Sequence, residues 1–232
     1  MNIKLLIYSI IISIAVSVSG CSDGTGKRIS EGTITYSIEY PKEDNSSPLI
    51  SIFPKEMKMR FKDNNTAMEI TGYAGSFGLK YITDFAEQKS YALMRIIFKK
   101  CMYESSSNEI SFGYGKMKGI EITEHPDTMT VCGYLCNKAT ATIPGKDSEF
   151  ILWYTPNIEI ENPNSNTPFN KVNGVLLKFE LILQGIHMKL EAIDIDDHEV
   201  ADEYFRVPDD YEKVSKEDLE KLIRDFDKSA SN

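Results

Sequence analysis

The chain has 232 residues, 41% hydrophobic and 26% charged, with a formal net charge of -9 and a pI near 5.0. That balance is ordinary for a globular protein long enough to bury a core. Its acidity argues against nucleic-acid binding and against lying on an anionic membrane through a basic face.

The N-terminus reads as an export signal. Lys4 is the only charge before an apolar run from Leu5 to Val18. A run of roughly a dozen residues suits a signal-peptide core and is too short to span a bilayer comfortably. It ends in Val18-Ser19-Gly20-Cys21, which resembles a lipobox. That resemblance implies a diacylglyceryl group on the Cys21 thiol and cleavage just before it. The expected product is a chain held to the membrane without spanning it. Removing 20 of 232 residues leaves 212, enough for one domain. Ser22 is not the Asp of an inner-membrane retention signal, and no acidic cluster directly follows Cys21. The expected location is therefore the outer membrane, facing the periplasm.

Residues 21–30 are small and polar and read as a lipidated, flexible tether to a single domain over 31–232. Ile34, Tyr36, Ile38 and Tyr40 then alternate with polar residues until Pro41, as in a half-buried strand. Ser47 to Phe53 reads as a short helix or loop. Met57, Met59 and Phe61 alternate with Lys58, Arg60 and Lys62, and Asp63-Asn64-Asn65 turns the chain toward Met68 and Ile70. Phe77 to Thr83 is a strand. Tyr91 to Phe98 is apolar on both faces and is expected to be central. Pro144 to Asp147 separates strands Lys138–Ile143 and Glu149–Tyr154. Val175, Leu177, Phe179, Leu181 and Leu183 line one face of a long strand. After Gln184-Gly185, Met188 and Leu190 share a face of the next, with Ile193 and Ile195 on the other. A capping box at Ser215–Asp218 opens a helix over 215–228, with Leu219, Leu222, Ile223 and Phe226 on one face. The pattern predicts a mainly β fold with antiparallel meanders and a C-terminal helix.

Excluding Cys21, three cysteines remain: Cys101, Cys132 and Cys136. All are disulfide candidates in an oxidising compartment, but an odd number leaves one thiol over. On one extended strand Cys132 and Cys136 would lie roughly 13 Å apart, too far to bridge unless Gly133-Tyr134 turns. A bond from Cys101 to either is equally open. The three histidines, His125, His187 and His198, are too scattered for zinc. His125, before Pro126, reads as a turn residue. Asp194, Asp196, Asp197 and Glu199 resemble a calcium-loop fragment without its Gly and distal Glu, and read as a solvated strand end. No nucleophile elbow, zinc helix or phosphate loop is present. A non-enzymatic protein with no cofactor and no metal is expected.

Several stretches resemble one group of exported proteins. These are Gly32–Tyr36, Pro54–Met59, Val131–Thr140 with its Gly-Tyr-x-Cys-x-Lys-Ala pattern, Phe150–Thr155, Pro168-Phe169 with Val172–Leu177, and Phe205–Tyr211. In order and spacing they resemble the DUF4412-like and GLPGLI-like proteins of Bacteroidota, which look related to LolA/LppX-like open β-barrels. The resemblance implies a strongly curved antiparallel sheet, a half-barrel, with short helices on its concave side. It also implies a concavity that takes a lipid or the acyl part of a lipoprotein. By strand face, Met57, Met59, Phe61, Met68, Leu177, Phe179 and Leu181 are candidate lining residues, with Trp153 beside them. Flexible thioethers suit such a cavity. The competing expectation is an envelope module with a filled core that docks a protein partner. Either way the chain would touch the membrane through Cys21. A ligand site needs a cavity of roughly 300 Å³ or more.

Overall fold

The structure is a computed structural model describing residues 27–41, 53–72, 75, 77–145 and 149–230. Cys21, the signal-like segment and most of Ser47 to Phe53 lie outside the described residues. So does the side chain of Phe226.

The alternating segments fold into one mainly β structure. The strands are β1 (Gly32–Glu39), β2 (Glu56–Lys62), β3 (Asn65–Gly72), β4 (Phe77–Asp84), β5 (Lys89–Ile96) and β6 (Lys99–Ser106). They continue as β7 (Glu121–Val131), β8 (Tyr134–Thr142), β9 (Glu149–Thr155), β10 (Val175–Leu183), β11 (Ile186–Asp196) and β12 (Glu212–Lys213). All twelve form a single sheet in the order β12-β6-β5-β4-β3-β2-β1-β11-β10-β9-β8-β7. The sheet is two antiparallel meanders, β1–β6 and β7–β11, joined where β1 pairs β11. It is not closed: β12 and β7 are its edges. Among the twelve strands described, only β12 pairs in parallel, with Glu212 opposite Cys101. The β7 edge carries Pro126 inside a register shift between His125 and Thr128, which blunts it against pairing with another chain.

The period-2 pattern decides which face is buried. Ile34, Tyr36 and Ile38 of β1 and Met57, Met59 and Phe61 of β2 all point into one main core. A bulge corrects the reading of β11. Tyr36 pairs Ala192 and Thr35 pairs Asp194, so Ile193 is an extra residue and is 54% exposed. The shift brings Ile195 opposite Ile34 and onto the core side, so Ile193 and Ile195 do not share a face.

No α-helix covers the core side among the described residues of 107–174. Two irregular segments do, 107–120 and 156–174, with one 3-10 turn at Gly115–Met117. Some of their polar groups are satisfied locally. Asn164 Nδ2 donates to the carbonyls of Val172 and Gly174, each at 2.9 Å, and Thr167 Oγ1 donates to Asn164 O. Gly174 has to be glycine, because a Cβ there would lie 2.7 Å from the Thr155 carbonyl oxygen.

The C-terminal segment wraps the sheet edge. Phe205, Val207 and Tyr211 pack on the opposite face, against Ala67, Ile82 and Leu93. This explains why β5 is apolar on both sides: Met94 faces the main core and Leu93 faces this strap. The chain then adds β12 and enters α1 (Lys216–Ala230). Ser215 Oγ caps the helix by accepting from the Asp218 amide at 3.1 Å, and it donates to Asp218 Oδ2 at 2.7 Å. Leu219 is fully buried, and Leu222 and Ile223 rest on the main core. The stretch read as tether is also partly tied down. Ile29 is buried, its carbonyl accepts from Glu159 N at 2.7 Å, and Arg28 pairs Glu159 at 3.0 Å.

Candidate functional site

The interior between the sheet and its covering segments holds a small apolar cavity of about 40 Å³. The sheet contributes Met57, Met59, Met68, Phe179 and Leu181 to its wall, all expected from strand face. Three expected lining residues lie elsewhere. Phe61 is fully buried but sits near the end of β2, opposite Gly32 and Thr66. Leu177 is fully buried at a register irregularity between Leu176 and Lys178 and does not reach the cavity. Trp153 faces the other way. It sits between Lys138 and Lys178 on its neighbouring strands, half-buried, with the Lys138 ammonium 5.9 Å from the ring centre. Alternation along β9 sends Phe150, Leu152 and Tyr154 inward instead.

Other wall residues escaped the sequence reading. Tyr36, Tyr81, Tyr114, Asn164 and Phe169 meet the cavity. Tyr114, Asn164 and Phe169 come from the covering segments, which have no periodicity to reveal them. The aromatic rings make a linked wall: Tyr36 and Phe169 each meet Phe179 edge-on, at 5.8 and 6.1 Å. The buried hydroxyls are spent on backbone. Tyr36 donates to Leu176 O at 2.9 Å and Tyr81 to Phe112 O at 2.5 Å. Burial raises the pKa of both phenols, so they stay neutral.

Among the described residues Cys101, Cys132 and Cys136 are free thiols. Cys132 and Gly133, both at positive φ, form a two-residue turn between Val131 and Tyr134, while Cys136 pairs opposite Met129 further down the hairpin. Cys101 lies on β6, close to the far edge of the sheet from β8. Cys132 Sγ donates to Ala192 O at 3.0 Å and stays in an exposed residue; Cys136 is buried, and burial pushes its thiol up to about 12.

Polar groups elsewhere are engaged as structure. His125 lies inside β7 beside its bulge rather than in a turn, 2.9 Å from Thr140 Oγ1. His187 meets Glu180 at 3.0 Å. Asp196, Asp197 and His198 cluster at the exposed end of β11, where His198 bonds Asp196 and Lys27 bonds Asp197. A second recess, also about 40 Å³, is polar and lies at the strand ends around Asn64, Thr83, Gln88 and Ser107. Asn166 Nδ2 braces this end by donating to Thr83 Oγ1 at 2.8 Å and Ser90 Oγ at 3.3 Å.

Among the described residues no helix is long and apolar enough to cross a membrane. No protein-family model and no curated protein matches the chain. Among solved structures, PNGF-II in a C2 crystal form is similar with a TM-score of 0.50 and 12% identity. That likeness covers 80% of this chain but only 30% of PNGF-II, so it shows a shared fold and nothing of activity.

Proposed function

We propose that this chain is a non-enzymatic module of the bacterial cell envelope, anchored by lipid on Cys21, whose interior is filled and whose surface does the work. One observation carries this reading. The cavity of about 40 Å³ has room for a few water molecules, far below the roughly 300 Å³ of a ligand site. The covering segments 107–120 and 156–174 supply packing that an acyl chain would otherwise supply. The sheet, in this reading, is the wall of a LolA-like half-barrel whose concavity is occupied by its own chain.

A second reading keeps the acyl ligand, and one feature favours it. The cavity wall is apolar and includes Met57, Met59, Met68 and Met188, whose flexible thioethers can rearrange around a guest. Entry would require segment 156–174 to lift from the sheet. The gain on offer is about 0.8 kcal/mol for each buried CH₂.

Native mass spectrometry and solvent extraction of the purified chain separate the two. The filled-core reading expects the mass of the anchored chain alone. A stoichiometric lipid that is released on denaturation, beyond the covalent anchor, overturns it in favour of the second.

A further inference from the structure

The turn between β5 and β6 is built against its own chemistry. Ile96 pairs Lys99, leaving Ile97 and Phe98 as a two-residue loop. Such loops require positive φ and favour Asn, Asp and Gly. The chain follows that preference at Asp63-Asn64, and it places glycine second at Cys132-Gly133 and Gln184-Gly185. At the β5–β6 turn it places a β-branched residue at φ 54°, a conformation that β-branched side chains strongly disfavour. The result is an apolar tip, with Ile97 57% and Phe98 95% exposed. No other large apolar side chain among the described residues is as exposed as Phe98. Folding gains nothing from this arrangement, so the reason for it lies outside the domain.

The surroundings say what the tip meets. Lys99, exposed, follows Phe98 directly, and Lys100 lies next to it, paired with Asp210. Register places Lys55 at the same end of the strands, and the β10–β11 turn brings Lys116 there, close to Gly185. Glu39 and Glu56 are there too, so this end is not a basic face. Two apolar side chains at a tip, followed directly by Lys99 and Lys100, match the layering of a phospholipid surface. Acyl chains take the apolar tip, and phosphates meet the lysines, whose stems can run along apolar surface.

We propose that the Ile97-Phe98 tip inserts into a phospholipid surface and gives the domain a second membrane contact. This rests on the reading that the surface does the work, but it does not depend on an empty or filled core. The position of the tether sets the posture. The described chain enters at the opposite end of the strands, before Gly32, and a strand of eight residues such as β5 spans about 26 Å. Residues 21–26 reach at most about 20 Å. A domain standing upright on its tether holds the tip clear of the bilayer, so insertion requires the domain to lie over.

The test uses the full chain, purified from membranes and reconstituted in phosphatidylethanolamine–phosphatidylglycerol vesicles. Phe98→Trp in a Trp153→Phe background makes the tip the only indole. Vesicles with brominated acyl chains are expected to quench it several-fold relative to the same vesicles with unbrominated chains. Ile97→Asp in that background is expected to abolish most of this quenching while leaving the β-sheet circular dichroism unchanged. A tip indole that stays in water on the vesicles overturns the proposal and leaves the tip to a protein partner. Its failure would not touch the filled-core reading, which the mass measurement decides separately.

Discussion

The hydroxyl of Tyr36 on β1 donates to the carbonyl of Leu176 on β10 at 2.9 Å, reaching past β11 across the interior. The contact falls beside the irregularity in β10, where the Leu176–Lys178 step breaks the ladder with β9. A carbonyl beside that irregularity is thus engaged by a side chain from the other meander. Tyr36→Phe removes the donor without changing the packing. It is expected to cost about 0.5–1.5 kcal/mol, the net contribution of a typical intramolecular hydrogen bond. Urea unfolding with an unchanged m-value checks it.

Phe179 stands at the centre of the interior, edge-on to both Tyr36 and Phe169. Phe179→Ala is expected to cost about 3–5 kcal/mol, because the covering segment 156–174 is pinned by its own hydrogen bonds and collapses little. If equilibrium unfolding shows a loss near zero, the interior is not the tight core described.

The thiols should separate by exposure. Cys132 is expected to react with an aromatic disulfide reagent in the native state, while Cys101 and Cys136 wait for unfolding. Cys132→Ser should abolish the fast phase. A native chain in which none of the three reacts until a reductant is added would show a disulfide instead.

Alkaline pH should weaken the fold. Burial raises the Cys136 thiol from 9.0 to about 12, so the folded state holds the proton more tightly than the unfolded chain does. The resulting stability is full below pH 9 and is lost as the pH rises toward 12. The buried phenols of Tyr36, Tyr81 and Tyr114 act in the same direction from about pH 10 upward. Cys136→Ala is expected to lessen the fall in urea midpoint across that window, and an unchanged slope would assign it to the tyrosines alone.

Replacing Ile97-Phe98 by Asn-Gly should relieve the backbone at φ 54°. The double variant is expected to be more stable by about 1 kcal/mol. Thermal unfolding is the measurement, and a lower melting temperature would mean that the tip packs on the domain.

Much of the sheet could be read from the chain because alternation is a local signal. Ile34, Tyr36 and Ile38 announce their face through their spacing, and so do Met57, Met59 and Phe61. Where alternation slips by one residue the reading slips with it. Ile195 changed sides because Ile193 is an extra residue in a bulge, and nothing in the residues themselves marks that. Strand β7 was missed because it is an exposed edge with polar residues on both faces and Pro126 within it. The lining of the cavity was half legible. Its sheet side follows from strand face, but Tyr114, Asn164 and Phe169 come from segments with no period.

The sequence by itself determined the local grammar: where most of the alternating strands run, where Asp63-Asn64 and Gln184-Gly185 turn, and where Ser215 caps the last helix. Those features depend on residues a few positions apart. Only the tertiary structure decided that the two meanders join through β1 and β11, that Cys101 and Cys136 stand on strands far apart in the sheet, and that segments 107–120 and 156–174 fill the interior. Each of those is a matter of volume and distance between residues far apart in the chain. The same holds for the tip: Ile97-Phe98 looked like the end of a central strand until the β5–β6 pairing turned it into an exposed loop.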